Sequence, residues 1–265
     1  KRVSQVALYR CVSRHGERRG AAVLDRPGGH AVPEGTELAA SARITVDGKR
    51  HVFWRMEAKG DYKLAQLLDG PEGKILRLHD DGRIPKDNPF VDDKRALPAV
   101  YSYGHRNPQG LAYDTHGDLL WSSEHGPRGG DEANVILAGR NYGWPVVSLG
   151  LDYDGSPIRD KYDLEVDEAT LEPPRFDWTP SIGVSSIDFY RGDAFPKWRN
   201  NLLVATLTRN ELRRYVIEDG QFVHGETLLD ELSRIRDVEV GADGFIYLLL
   251  EHNKGTRIVR MRPVE

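Results

Sequence analysis

Short apolar segments that begin after a turn residue recur along the chain at a nearly fixed interval. Four of them follow Gly73, Gly117, Asn201 and Gly244, at separations of 44, 84 and 43 residues, and the middle separation is close to twice the other two. Such runs, bounded by Gly, Asp, Asn or Pro, are typical of antiparallel strands joined by turns. A recurring unit of about 40–50 residues built from short strands is the signature of a β-propeller blade. The sequence therefore predicts an all-β propeller, with an irregular β-sandwich as the alternative.

Length, charge and cysteine content exclude several other classes of protein. The chain has 265 residues, of which 39% are apolar, so it can bury a core of its own. No apolar run approaches the roughly 18 residues that a membrane helix requires, which predicts no membrane span. The single cysteine, Cys11, excludes an internal disulfide and a thiolate metal cage. The formal net charge of −4 argues against a nucleic-acid partner.

The residues with the most chemistry lie in three motifs in the middle of the chain. The motifs are GHRNPQG at 104–110, EHGPRGGDE at 124–132 and NYGWP at 141–145. The glycines of the second motif permit a tight loop with inward-facing carbonyls, and Asp131 and Glu132 add carboxylates. Oxygen ligands of these two kinds suit a hard cation such as Ca²⁺. A glycine-rich turn with solvated acids is the alternative, and an EF-hand is excluded because the alternating acidic pattern is missing.

In this order and spacing the three motifs resemble the glucose/sorbosone dehydrogenase family, the soluble aldose sugar dehydrogenases that depend on pyrroloquinoline quinone (PQQ). The resemblance is strong over residues 71–262 and patchy over residues 1–70. It implies a single domain, residues 1–265, that forms a six-bladed propeller of antiparallel four-stranded blades. It also implies PQQ in an axial cleft, held by Ca²⁺. Nothing before Lys1 corresponds to the family's first blade, so we expect that blade to be missing or incomplete.

The resemblance assigns cofactor contacts to five residues. Arg106 and Asn107 would contact the quinone oxygens, and Arg106 would stabilise the negative charge that develops there. Arg234 and Arg236 would hold the cofactor's carboxylates, because residues two apart in a strand face the same way. Thr208 stands where the family has a lysine near the cofactor.

Two Ca²⁺ sites are also implied by the resemblance. The backbone carbonyls of Gly126 and Pro127 would hold the ion that polarises the quinone as a Lewis acid. Glu132, the backbone of Tyr142 and Asp152 would ligate a second, structural ion.

The family's general base is a histidine in the pattern His-x-Gly-Ser/Gly-Arg. His51 stands four residues before Arg55, as the pattern requires, but Phe53 and Trp54 replace its small residues. On this spacing His51 is predicted to take the sugar C1 hydroxyl proton as hydride leaves for the quinone. The alternative is that His51 is a strand residue in a degenerate blade.

Together these features predict an oxidoreductase, a quinoprotein that oxidises an aldose sugar at C1 to the lactone and passes electrons to a quinone or redox protein. One alternative is a truncated, non-catalytic propeller that binds a ligand or a protein partner. Another is a Ca²⁺-dependent propeller hydrolase that acts on lactones. The family context and an N-terminus without a basic-then-apolar leader lead us to expect a mature periplasmic or secreted chain.

Overall fold

The structure, a computed structural model, describes residues 6–9, 39–46, 49–58, 60–253 and 255–263, with the backbone alone up to residue 50. Within these ranges the secondary structure consists of β-strands and short 3-10 helices. The strands are β1 (Val6–Tyr9), β2 (Ala39–Val46), β3 (Lys49–Met56), β4 (Lys74–His79), β5 (Val100–Tyr103), β6 (Pro108–Asp114), β7 (Leu119–Glu124), β8 (Asp131–Val135), β9 (Phe176–Trp178), β10 (Val184–Phe189), β11 (Leu202–Thr206), β12 (Leu212–Glu218), β13 (Gln221–Leu229), β14 (Arg234–Val240), β15 (Ile246–Glu251) and β16 (Arg257–Met261). The 3-10 helices are Tyr62–Gln66, Ile158–Lys161, Glu168–Thr170 and Pro196–Trp198. None of the helices in these ranges is long and apolar enough to cross a membrane.

The strands form four antiparallel sheets of four strands each. Three sheets consist of consecutive strands, β2 to β5, β6 to β9 and β10 to β13. The fourth contains β14, β15 and β16, and β1 from the other end of the chain pairs with β16 from Val6↔Met261 to Tyr9↔Ile258. The prediction of an all-β chain with antiparallel four-stranded units is therefore confirmed.

The strands β2, β6, β10 and β14 connect neighbouring sheets by packing against one another. Strand β10 packs against β6 on one side and β14 on the other, and β2 packs against β6. This is how the innermost strands of successive propeller blades are arranged, and we call the sheets blades one to four. The number six stays a prediction, as does the single domain over 1–265, and residues 10–38 lie outside the described residues.

Each pair of neighbouring blades shares an apolar cluster. Strand β11 shows how: Leu202 and Val204 face the cluster with blade two, whereas Leu203 and Ala205 face the cluster with blade four. Side chains alternate between the two faces of a strand, so a strand covered on both faces reads as a continuous apolar run. Each fully buried aliphatic side chain of this kind contributes about 1.5–3 kcal/mol to the free energy of unfolding.

The innermost strands begin at one common end of the blades. The Arg55 guanidinium, at the end of β3, donates to the Pro108 carbonyl at the start of β6 over 2.8 Å. The Asp131 carboxylate, at the start of β8, accepts from the backbone N–H of Val184 at the start of β10 over 2.9 Å. The loops that carry the three motifs lie at this end, which we call the motif end.

Candidate functional site

The backbone of Arg106 and Asn107 is held by one buried carboxylate. Oε1 of Glu124 accepts the backbone N–H of Arg106 in a short hydrogen bond and that of Asn107 over 3.1 Å. On the other side, the Arg106 carbonyl accepts from the backbone N–H of Ala58 over 2.8 Å. Blades one and two therefore fix the main chain of the two residues that we predicted to contact the quinone.

The Arg106 side chain lies in a pocket lined by the second and third motifs. Its Nη1 donates to the carbonyls of His125 and Gly126 over 3.1 and 3.3 Å. The guanidinium carbon lies 5.3 Å from the Trp144 ring centroid and 6.0 Å from that of Tyr62, within or at the range of cation–π attraction. Its Nε is buried and has no hydrogen-bond partner among the described residues. The Nε of Arg106 is therefore a donor that could bind a further acceptor. We call this site the Arg106 pocket.

The loop that follows Glu124 requires glycine. A Cβ atom at Gly126 would lie 2.0 Å from the Gly129 carbonyl oxygen, and Gly130 has a φ of +68°. The buried Asp131 carboxylate accepts from Gly126 N, Ser181 Oγ, Ile182 N and Val184 N at 2.8–3.1 Å. Asp131 therefore ties the loop to blade three and is not available as the cation ligand that its sequence context indicated.

The predicted ligands of the second Ca²⁺ are only partly brought together. Glu132 and Tyr142 both line the Arg106 pocket. Burial raises the pKa of Glu132 to about 8, and the charge of Glu124 adds to the effect. Asp152, in contrast, pairs with Lys161 on the surface.

Ca²⁺ itself stays a prediction. In the part of the chain that the structure describes, no three His, Cys, Asp or Glu side chains form a metal-binding group. The predicted catalytic ion would depend on the backbone carbonyls of Gly126 and Pro127. The Gly126 carbonyl lies at the pocket, within reach of Arg106.

Arg234 and Arg236 share one carboxylate, that of Glu251. Arg236 Nε donates to Glu251 Oε2 over 2.9 Å, and Arg234 Nε lies 3.8 Å from Glu251 Oε1. The two guanidiniums thus point to the same side of β14, as their spacing predicted, and both side chains are largely exposed. Their role toward a cofactor stays a prediction.

His125 is close enough to both Arg106 and Arg236 for their charges to act on it. Its pKa is lowered, first by burial and further by the positive charges of Arg106 and Arg236, although the nearby Asp131 opposes the shift. Its Nε2 is buried without a partner among the described residues. Positive charges from blades two and four therefore act on one neutral imidazole at the motif end.

Thr208 reaches the same end from the loop between β11 and β12. Its backbone N–H donates to the Ile182 carbonyl over 3.2 Å, just before β10. A Cβ atom at Gly183 would lie 2.4 Å from Thr208 Oγ1, so the two loops are in close contact.

The predicted base, His51, lies at the opposite end of blade one. It pairs with His79 near the β4 end, whereas the site lies beyond Met56, five residues or roughly 16 Å further along β3. The His51 imidazole is buried, its ring centroid 4.9 Å from that of His79 and its Nε2 3.4 Å from Arg77 Nη2. The structure does not bring His51 together with Arg106, because β3 begins at the opposite end of its blade and reaches the motif end only at Arg55 and Met56.

Strand β2 offers a better position for the His-x-small-small-Arg pattern. It is the innermost strand of blade one, and Ala39 at its start pairs with Arg55 at the motif end. The sequence Ala39-Ala40-Ser41-Ala42-Arg43 has the small residues and the arginine of the pattern, with alanine in place of histidine. The two small residues before Arg43 were the signal that could have identified this strand.

Glu124 is the residue at the site that sequence reasoning missed. Its role depends on backbone N–H groups 17 and 18 residues earlier in the chain. The only sequence signal was its place at the start of the second motif.

Comparison with known proteins agrees with these observations. The profile of the Glucose / Sorbosone dehydrogenase family matches residues 30–260. Aldose sugar dehydrogenase YliI of Escherichia coli (strain K12) is 39% identical over 222 residues, which cover 83% of this chain and 59% of the relative. Quinoprotein glucose dehydrogenase B of Acinetobacter calcoaceticus is 31% identical, over an alignment that covers 81% of this chain and 59% of the relative. The chain thus spans less than two thirds of the length of these curated relatives.

A solved structure extends the likeness to the fold. The PQQ-bound form of aldose sugar dehydrogenase from Streptomyces coelicolor is similar with a TM-score of 0.63 at 26% identity, over 88% of this chain and 64% of that one. The family match covers all three motifs and the innermost strands of the four blades. The chain belongs to the glucose/sorbosone dehydrogenase family.

Proposed function

We propose that the motif end binds PQQ and that the protein is a sugar dehydrogenase, which oxidises an aldose at C1 to the lactone. The observation that carries the proposal is the arrangement around Arg106. Its main chain is fixed by Glu124, its guanidinium packs on Trp144, and a buried Nε is left for an acceptor. The names of the relatives, an aldose sugar dehydrogenase and a quinoprotein glucose dehydrogenase, support the same assignment.

The residues present fit such a cofactor. PQQ carries carboxylates and quinone oxygens, all of which accept hydrogen bonds. Arg106 offers an Nε that has no partner among the described residues, and Arg234 and Arg236 offer guanidiniums that now pair with the exposed Glu251 carboxylate. Guanidinium groups bind carboxylates through paired, charge-assisted hydrogen bonds. The bound quinone would supply the hydride acceptor, and Ca²⁺ on the carbonyls of Gly126 and Pro127 would strengthen it.

The chain's own residues would bind and orient. Arg106 would place its positive charge where the acceptor becomes negative, and such preorganised charge is usually the largest part of catalysis. The rings of Trp144 and Tyr62 lie beside the guanidinium and help to hold it in place. Arg234 and Arg236 would fix the far end of the cofactor. The electron acceptor, a quinone or redox protein, and a periplasmic or secreted location remain parts of the proposal.

A second candidate function is cofactor binding without sugar oxidation. It is favoured by one observation, the placement of His51 at the far end of β3. Ala39 stands at the position in β2 where the family pattern has histidine. Among the described residues of blade one, no histidine therefore lies at the motif end. Such a chain would hold PQQ but would not remove the hydroxyl proton of the sugar.

Titration of the protein with PQQ in the presence of Ca²⁺ separates these functions. Saturable binding by calorimetry, with dye reduction on addition of an aldose, is the result expected of a dehydrogenase. Binding without dye reduction supports the second candidate, and no saturable binding overturns both. The matched controls are Arg106→Ala, which should abolish binding, and Arg199→Ala, which removes an exposed arginine paired with Asp193 and should not.

A further inference from the structure

We propose that His105 is a positioning residue, which holds the Glu124 carboxylate in the orientation that presents Arg106 and Asn107 to the cofactor. The proposal rests on the proposed function for its consequence, PQQ affinity, but the positioning itself can be measured in the free protein. His105 has no exposed surface and lies one residue before the pair that it would position.

A continuous chain of hydrogen bonds runs from Ser102 through His105 to Glu124. Ser102 Oγ lies 2.8 Å from His105 Nε2, and His105 Nδ1 lies 3.0 Å from Glu124 Oε2. A carboxylate can only accept, so Nδ1 carries the proton. Ser102 Oγ is the hydrogen-bond partner of the other ring nitrogen, Nε2.

The two oxygens of Glu124 have separate tasks. Oε2 is held by His105, and Oε1 accepts the backbone N–H groups of Arg106 and Asn107. Without the bond to His105 the carboxylate could rotate about its last torsion, which is broad for a glutamate. Both N–H bonds would then lose their geometry, and the start of β6 would lose its fixed direction.

The ring of His105 is itself locked in place. It stacks on Tyr142, with ring centroids 4.5 Å apart and an interplanar angle of 23°. The backbone N–H of His105 donates to the Gly73 carbonyl over 3.1 Å. The second-motif carboxylate and the third-motif tyrosine therefore meet on one imidazole of the first motif.

The order Ser, His, acid is also that of an acyl-transfer triad, but the geometry excludes this role. Ser102 and His105 are fully buried, so no ester carbonyl can reach the hydroxyl. The Glu124 carboxylate also holds the backbone N–H groups of Arg106 and Asn107. The chain of hydrogen bonds positions the backbone and does not activate a nucleophile.

Two substitutions of His105 separate its hydrogen bonds from its ring. His105→Phe keeps a ring for Tyr142 but removes both hydrogen bonds. His105→Asn keeps a donor near the place of Nδ1. We expect His105→Phe to weaken PQQ binding about 10- to 100-fold, the effect of losing a hydrogen bond to a charged group. His105→Asn should restore most of that loss, and His116→Phe, at an exposed histidine, should change nothing.

The amide proton shifts of Arg106 and Asn107, measured by NMR without cofactor, give a readout that does not depend on the proposed function. Both amides should move upfield in His105→Phe and stay near their wild-type positions in His105→Asn. Unchanged shifts and unchanged PQQ affinity in His105→Phe would overturn the proposal. If the Phe variant does not fold, Ser102→Ala should give smaller shifts in the same direction, and no shift there would also overturn it. Covalent labelling of Ser102 by a fluorophosphonate would contradict the positioning role.

Discussion

The guanidinium carbon of Arg106 lies 5.3 Å from the centre of the Trp144 ring. The two residues belong to different motifs, and the chain between them includes all of β6, β7 and β8. Gln66 holds the indole side of this contact, because its side-chain amide donates to the Trp144 carbonyl over 2.6 Å. The contact sets the position of a charge on which the proposed function depends.

We expect Trp144→Leu to weaken PQQ binding by about 3- to 30-fold. A desolvated cation–π contact contributes about 0.5–2 kcal/mol, and its loss lets the Arg106 guanidinium leave its place. The matched control is Trp198→Leu, since Trp198 also lies under an arginine, with Arg214 at 5.8 Å. Both variants should lower the melting temperature, but only Trp144→Leu should lower PQQ affinity in calorimetry. Equal affinities for the two variants would argue against a role of Trp144 at the site.

Glu251→Gln should tighten PQQ binding several-fold. The Glu251 carboxylate now competes for Arg234 and Arg236, and its neutralisation leaves both guanidiniums to the ligand. The free energy of unfolding should change by less than about 1 kcal/mol, as is usual for exposed ion pairs.

Glu226→Gln is the control for Glu251→Gln. The Glu226 side chain is 43% exposed, against 44% for Glu251, and it also pairs with an arginine, Arg214. The tightening should fade as the salt concentration rises, because exposed charges are screened. Weaker binding by Glu251→Gln would mean that the arginines do not face the ligand.

The motif residues were predictable from the sequence because their types and spacing are specific. Arg106, Gly126 and Arg236 all lie at the motif end, and the four-stranded antiparallel units follow from the recurring turns. The position of His51 was not predictable from spacing, because strand residues at the same spacing occur on every strand of a blade. Only the pairing of Ala39 with Arg55 reveals which strand begins at the site.

Lys74→Met should lower the free energy of unfolding by about 3 kcal/mol at pH 9. Lys74 is fully buried, and its Nζ donates to the carbonyls of Leu64, Ala65 and Glu72 at 2.8, 3.1 and 2.5 Å. The methionine side chain fills the space but removes the donor: the carbonyls of Leu64 and Ala65 keep the backbone N–H groups of Leu67 and Gly104, whereas the Glu72 carbonyl loses its partner. An unpaired buried acceptor costs about 1–3 kcal/mol. Lys197→Met, at an exposed lysine, should change stability by less than about 0.5 kcal/mol. A loss as small as that control would show that the carbonyls need no partner.

The stability difference between wild type and Lys74→Met should grow as the pH rises. Burial lowers the pKa of Lys74 from 10.5 to about 7. Between these values the unfolded chain binds a proton that the native chain has lost, so the wild-type free energy of unfolding rises with pH in this window. Below pH 7 both states are protonated and the dependence vanishes. Urea unfolding of both proteins from pH 6 to pH 10 measures this, and a flat difference would contradict the lowered pKa.

Ala39→His should raise dye reduction by the PQQ-loaded protein, whereas His51→Ala should leave both PQQ affinity and dye reduction unchanged. The first strand of blade one begins at the motif end with Ala39 opposite Arg55, and Arg55 in turn contacts the Pro108 carbonyl beside Asn107. Position 39 therefore lies on a strand end beside the quinone-contact pair, and a well-placed proton acceptor adds about 10²- to 10⁴-fold in favourable cases. His51 is buried against His79 and Arg77 at the other end, so its removal should reduce only stability.

Ala40→His is the matched control, because it shifts the imidazole by one residue and thus to the other face of a strand with period two. Loss of dye reduction in His51→Ala, with PQQ still bound, would show that His51 takes part in the reaction. An equal gain in Ala39→His and Ala40→His would remove the argument for position 39.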